Sequence, residues 1–511
     1  EIAQCLVGSE MCIRDSYVGL IVLCISSLMF IPVITSICFK EWPAAVDFLL
    51  SLSISLSIGS LLVLSGKNTR KEVKIQWKHG LIIASFSWIL LMILCAIPYR
   101  LSGNVLSFLD ACFDVMSGFT TTGLVLTQDL DHLSMGLNMW RHILTFVGGQ
   151  GMVVLALSLL VKNTAGAYKM YVGEGKDIGL LPNFKNTAKI IWIISMIYFV
   201  IGVAAFWISG LFIGLKPVSS LMNAIFIFCS TWSTGGFAPY SQNILYYHSF
   251  SYEVISIIFF IIGSFNFGLH YAMWKKNKKE IFKNIETQSF VITATICSLL
   301  LIGYFSKSGL YPNSIAIFRK VVYQLLSAHT TTGFGSLYAR QLAVDWGDFP
   351  LLIMVIAMLI GGSACSTAGG FKGLRVGVVF KGVINEIRGL ISSENRVSVK
   401  KIHYMKDMIL DNNLFKTSML IIICYIALFS FATVLGTYYG YPVIESAFEA
   451  ASVTGNVGLS IGITSVTTPV PLKICYILTM YLGRLEFISV FALIGFLFGG
   501  IKKLWKKSLN H

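Results

Sequence analysis

Charged side chains are scarce along this sequence. Asp, Glu, Lys and Arg make up 12% of its 511 residues, about half the share of an ordinary soluble chain. Hydrophobic residues make up 55%, which excludes a disordered chain and argues against a soluble globular one. The net formal charge of +15 would suggest nucleic acid in a soluble protein. In so apolar a chain it suggests basic loops on one side of a membrane instead, and nucleic acid is not expected as a partner. The eleven cysteines form no framework. Most lie inside apolar runs (Cys24, Cys38, Cys95, Cys297, Cys424, Cys475), where cysteine behaves as a small hydrophobe, and no CxxC pair or His/Cys cluster suggests zinc. His79, His132, His270 and His329 are scattered, and no nucleophile, acid/base or metal constellation accompanies them. An enzyme is therefore not expected, nor a covalently bound cofactor. Residues 1–16 lack the basic start and apolar core of a signal peptide. Residues 5–16 resemble translated adaptor sequence, so 1–16 is set aside as a non-native leader.

What is present is a series of apolar runs long enough to cross a bilayer. They cover 17–39, 43–66, 81–99, 143–161, 190–215, 254–274, 289–306, 349–371, 417–442 and 474–501, the last interrupted by Arg484 and Glu486. Ten spans place segments 67–79, 162–189, 275–287, 372–416 and 502–511 on one side, with 28 basic residues against 9 acidic ones. The segments on the other side carry 9 basic and 10 acidic residues. The positive-inside rule then puts the first set, and both termini, in the cytoplasm.

Four outer segments repeat one pattern. Each holds a short helix-like stretch and then a Gly/Thr/Ser-rich turn, at 120–124, 233–237, 330–334 and 455–459. Aligned on Gly123, Gly236, Gly333 and Gly458, all four have serine six positions earlier (Ser117, Ser230, Ser327, Ser452). All four have an aromatic ten positions earlier (Phe113, Phe226, Tyr323, Phe448) and Leu or Phe one position later. The unit is span, re-entrant hairpin, span, written four times at 81–161, 190–274, 289–371 and 417–501 after two leading spans at 17–66. The expected fold is thus an all-α polytopic membrane protein with four such repeats around one pore.

Irregular backbone survives at membrane depth only where protein buries it or it lines a wet cavity. Four such turns around one axis can offer carbonyl oxygens in place of a cation's water shell. None of the turn residues is ionisable, whereas a Ca²⁺ site would more often use carboxylates. Glycine suits the left-handed backbone that pointing carbonyls at an axis requires. The residues expected to bind the transported cation are Thr121, Thr122 and Gly123, Thr234, Gly235 and Gly236, Thr331, Thr332 and Gly333, and Asn456, Val457 and Gly458. The aromatics are expected to pack and the serines to satisfy backbone groups nearby. Asp110 and Glu445 sit near the outer starts of two of the short helices, with the charge a helix N-terminus prefers.

The second span of each repeat adds further motifs. Gly148-Gly149-Gln150-Gly151 lies in the first, and Gly263-Ser264-Phe265-Asn266-Phe267-Gly268 in the second. Gly361-Gly362-Ser363-Ala364-Cys365-Ser366-Thr367-Ala368-Gly369-Gly370-Phe371-Lys372 lies in the third, and Gly483-Arg484-Leu485-Glu486 in the fourth. With the four filter glycines, these resemble the Trk/Ktr/HKT superfamily of potassium transporters over about residues 17–505, and the leading pair of spans resembles its TrkH branch. The resemblance implies K⁺ uptake across a bacterial inner membrane, a homodimer, and a cytosolic ring of TrkA-like nucleotide-binding regulatory subunits. It also implies a gate below the filter, formed by an intramembrane loop (Gly362, Ser363, Ser366, Thr367, Gly369, Gly370) and by Arg484. Glycine at all four filter positions favours K⁺; a Na⁺ or mixed Na⁺/K⁺ transporter of the same superfamily, or an unrelated secondary transporter, is the alternative.

Overall fold

Peptide groups in an apolar surrounding are satisfied within a single segment only by an α-helix. Accordingly, six helices among the described residues are long and apolar enough to cross a membrane: Asp15–Cys38, Trp42–Ser65, His79–Leu101, Ala188–Phe212, Ile285–Ser308 and Asn412–Tyr438. They belong to a computed structural model that describes residues 2–65, 77–152, 184–275, 277–391 and 401–508, with side chains over 15–65, 79–152, 188–275, 277–391 and 401–498. Large apolar side chains such as Leu61, Val200, Leu299 and Val434 point outward from these helices, as a lipid-facing surface requires. Where the leading pair of helices meets, a Cβ on Gly19 would lie 2.8 Å from Gly59 O. Small residues let the two backbones approach closely.

Three of the expected spans are not continuous helices. The 254–274 run is two helices, Phe250–Gly263 and Phe267–Trp274, bent by 97°. Asn266 restarts the second one by accepting the N–H of Gly268 at 2.8 Å. The 474–501 run is bent by 115° between Val470–Arg484 and Ile488–Phe498, with Glu486 and Phe487 left-handed at the break. The 349–371 run is helical only over Asp348–Ile360; it leaves the helix at Gly361 (φ 71°), and Gly373–Ile391 continues after the glycine-rich loop. Low helix propensity of glycine and serine explains the stops at Gly263-Ser264 and at Gly361. Of the 143–161 run, Met135–Gln150 is helical and 153–161 lies outside the described residues. The first helix runs Ile2–Ser27.

Four short helices end directly before the four turns: Phe108–Phe119, Pro217–Trp232, Tyr323–His329 and Val443–Gly455. The first begins with a capping box. Asp110 N donates to Ser107 Oγ at 3.1 Å and Ser107 N returns to Asp110 Oδ2 at 3.2 Å. Asp110 also pairs with Lys473 at 2.6 Å, tying the first repeat to the fourth. Arg319 forks onto Glu253 with two bonds of 2.8 Å, tying the third to the second. The four shared aromatics are buried.

Between the third and fourth repeats lies an antiparallel hairpin, Lys401–Tyr404 with Lys406–Ile409, which hydrophobic periodicity does not signal. His403 bridges Asp407 at 2.7 Å and Glu280 at 3.0 Å. The bond to Asp407, then that to Glu280, outweighs partial burial and raises the imidazole above its ordinary 6.5. Its stabilising effect is therefore fully present below pH 6.5 and is lost as pH rises through the raised value. Amide exchange across 401–409, corrected for intrinsic rate, is expected to show more protection below pH 6.5 than well above it. His403→Phe is expected to flatten that profile.

Candidate functional site

In each turn the backbone alternates in hand. The residue two before the glycine is left-handed in all four copies: Thr121 (φ 56°), Thr234 (50°), Thr331 (55°) and Asn456 (54°). The glycine is left-handed again, at 95°, 67°, 78° and 94° for Gly123, Gly236, Gly333 and Gly458. Three of the strained positions are β-branched threonines, a conformation that costs on the order of 1–3 kcal/mol each unless its surroundings hold it. The next residue is held identically in every copy. Thr122, Gly235, Thr332 and Val457 each donate their N–H at 2.8 Å to the carbonyl of the serine at minus six. The serine hydroxyls differ. Those of Ser117 and Ser452 accept the N–H of Gly123 and Gly458 at 3.0 Å, and that of Ser327 donates to Phe334 O at 2.9 Å. Any residue could offer that carbonyl; what serine adds is the hydroxyl, used in the first, third and fourth copies.

The glycines reveal how the turns meet. A Cβ on Gly123 would lie 2.6 Å from Gly235 O, and one on Gly236 would lie 2.5 Å from Thr332 O. One on Gly333 would strike Val457 O, and one on Gly458 would strike Thr122 O. Each glycine therefore faces the carbonyl preceding the glycine of the next copy, and the fourth closes on the first. The twelve residues expected at the filter are brought into this one ring, all buried except the half-buried Gly123 and Gly458. On one side of the ring opens a cavity of about 180 Å³ lined by Gly123, Gly236, Gly458, Asn243, Ser460 and Arg141 among others.

The glycine-rich loop of the third repeat closes the other side. Thr367 sits at its centre. Its Oγ1 lies 2.9 Å from Gly263 O, 3.1 Å from Trp232 O and 3.2 Å from Thr234 Oγ1. Its carbonyl lies 3.5 Å from Thr121 Oγ1. Gly369 N donates to Thr331 Oγ1 at 2.7 Å, and a Cβ on Gly369 would strike Gly455 O. The loop thus touches all four turns. Ser363 N donates to Ser264 O at 3.0 Å, Ser366 Oγ donates to Ser363 O at 2.6 Å, and Gly362 and Gly370 are packed against backbone. Arg484 donates to Thr367 O at 2.6 Å and to Gly148 O at 2.7 Å, fastening the loop to the first repeat. Glu486 does not share its face; it pairs with Arg375.

Glu286 was not singled out by sequence reasoning. It lies at the start of the third repeat's first span, fully buried, and accepts Ala364 N of the loop at 2.6 Å and Asn266 Nδ2 at 3.3 Å. An acid at the very edge of an apolar run was the signal available.

A sequence model of the TrkH cation transport protein family matches residues 46–496. The chain belongs to the TrkH family. It is 29% identical over 491 residues to an uncharacterized cation transporter of Methanocaldococcus jannaschii, covering 96% of each chain. It is 27% identical over 493 residues to the Trk system potassium uptake protein TrkH of Halomonas elongata, covering 93% of this chain and 96% of that one. Its fold matches the crystal structure of the potassium transporter TrkH from Vibrio parahaemolyticus with a TM-score of 0.80 at 24% identity, over 94% of this chain and 98% of that one. TrkH proteins are membrane transporters, not enzymes. The all-α polytopic fold expected from sequence is the one observed.

Thr367→Val keeps the shape of the side chain and deletes its hydroxyl. Buried groups left without partners cost about 1–3 kcal/mol, so the thermal unfolding midpoint in detergent is expected to fall. An unchanged midpoint would show that the hydroxyl holds nothing.

Proposed function

We propose that this protein takes up potassium through a filter of backbone carbonyls at the ring of four turns. The observation that carries the reading is the ring itself, in which Thr122, Gly235, Thr332 and Val457 present carbonyls around one axis. No residue of the turns is ionisable, so coordination falls to peptide oxygens, which replace the water of a weakly hydrated monovalent cation. The potassium uptake named for the Halomonas relative supports the same cargo.

The loop at 361–372 then lies across the path on the inner side of the filter, and the family's loop-and-arginine gate corresponds to this loop and Arg484. The positive guanidinium raises the barrier to a cation and also anchors the loop through Thr367 O. Opening requires the loop to leave contacts with all four turns. The basic inner segments fit both termini in the cytoplasm of a bacterial inner membrane and a cytosolic, nucleotide-binding TrkA-like partner acting on a homodimer.

Uptake of K⁺, Rb⁺ and Na⁺ in a potassium-uptake-deficient strain and in vesicles tests the reading. Gly123→Ser is expected to lower K⁺/Na⁺ discrimination, because its side chain enters the ring beside Gly235 O; unchanged discrimination would remove the filter assignment. Deleting residues 363–370 is expected to raise basal K⁺ flux, and a folded deletion that conducts no faster would remove the gate.

A further inference from the structure

One position of the short helices is polar in three copies and apolar in the fourth, and its partners account for the exception. Nine residues before the filter glycines stand Asp114, Ile227, Gln324 and Glu449, all fully buried. Asp114 accepts Leu126 N at 2.6 Å and Thr127 N at 3.1 Å. Gln324 accepts Ser336 N at 3.1 Å. Glu449 accepts Ile461 N at 3.2 Å and Thr464 N at 3.4 Å, and its other oxygen takes Thr464 Oγ1 at 3.0 Å. Leu126, Ser336 and Ile461 are each three residues after their glycine. In the second copy that place is Pro239, which has no N–H to offer. The copy with no donor is the copy with no acceptor.

We propose that Asp114, Gln324 and Glu449 are positioning residues for ion selection, fixing the strand that leaves each filter turn through the N–H three residues beyond the glycine. The inference rests on the filter reading above. The turn is already held from before the glycine by the serine carbonyl at minus six. The acceptor at minus nine holds it from after, so that glycine and its preceding carbonyl are suspended between two fixed points on one helix. Selection between monovalent cations depends on how far a carbonyl ring can contract or yield. Releasing one end is therefore expected to change the choice between ions more than the passage of the preferred one. In the second copy Pro239 supplies stiffness through its own ring, and Asn243 Nδ2 holds Gly236 O at 3.0 Å.

Glu449 gives the clearest test, since Asp114 also feels the charge of Arg141. Three variants of the full chain are compared in vesicles by K⁺ and Na⁺ flux per inserted protein: Glu449→Leu, Glu449→Gln and Ile227→Leu. Glu449→Leu is expected to lower the K⁺/Na⁺ flux ratio about tenfold, the scale of one buried hydrogen bond to a charged group. Glu449→Gln keeps an acceptor for Ile461 N and is expected to restore most of the ratio. Ile227→Leu, at the same register where no bond exists, is expected to leave it unchanged. Equal loss of K⁺ and Na⁺ flux in Glu449→Leu, failure of Glu449→Gln to rescue, or an equal effect of Ile227→Leu would each overturn the proposal in favour of a packing role. If Glu449→Leu does not insert, Gln324→Leu carries the same expectation without burying or removing a charge. A wild-type protein with no K⁺ preference would sink the filter reading and this inference together. A selective wild type, sensitive to Gly123→Ser but indifferent to loss of the acceptors, would sink this inference alone.

Discussion

Four backbone carbonyls held in one ring repel one another, and the surrounding structure is organised to keep them there. Each belongs to a residue whose own N–H is committed at 2.8 Å to the helix behind it. That bond fixes the peptide plane just before the carbonyl-bearing residue, and the left-handed residues on either side turn the chain so that it can form. The strain at Thr121, Thr234 and Thr331 is offset by local bonds: the first two hydroxyls donate to the preceding carbonyl at 2.7 Å, and the third accepts Gly369 N. Preorganised dipoles of this kind need no rearrangement when a cation arrives. The buried ion pair Asp110–Lys473 and the partly exposed pair Glu253–Arg319 brace neighbouring repeats near the starts of short helices.

The ring is close to fourfold, but what lies beneath it is not. A single loop, contributed by the third repeat, reaches every turn, and its contacts are not all of one kind. Hydroxyls meet it from the first three copies and a bare backbone carbonyl from the fourth. Two neighbouring spans break beside it, at Ser264–Asn266 and Leu485–Phe487, and both breaks expose backbone or charge to the loop. Glu286 and Asn266 continue this polar contact inward to Tyr404 of the hairpin, whose hydroxyl accepts from Asn266 at 3.2 Å. A chain of discrete bonds thus runs from the hairpin through Asn266 and Glu286 to the loop, and from the loop to the ring.

The repeats were legible because their constraints are local. Serine at minus six and glycine at zero serve one turn, so the same spacing recurs wherever the turn does. The ring was legible only as a possibility, since which copy abuts which depends on packing between segments about a hundred residues apart. The bends were missed for a related reason. The stretches 254–274 and 474–501 have the length and apolarity of spans, and hydropathy reads composition without direction. Their breaks are signalled only by Gly263-Ser264 with Asn266, and by Arg484 with Glu486, residues that sequence reasoning had noticed for other reasons. Glu286 escaped because it was counted among loop charges, where burial cannot be seen. The polar residues at minus nine escaped because their type varies; what is shared is the accepting oxygen, and the proline opposite Ile227 is intelligible only once both ends are seen together.

The closure between the fourth turn and the first has a bearing on how the protein is made. Asn456 donates to Thr122 Oγ1 at 3.1 Å across 334 residues of chain, the longest reach among the bonds joining the turns. Synthesis proceeds from the amino end, so three turns are complete while the last wall is still inside the ribosome. Until it arrives, the ring stands open between the third turn and the first. A chain interrupted before its fourth turn therefore lacks the closed ring altogether, because its last side is the last of the four to be written.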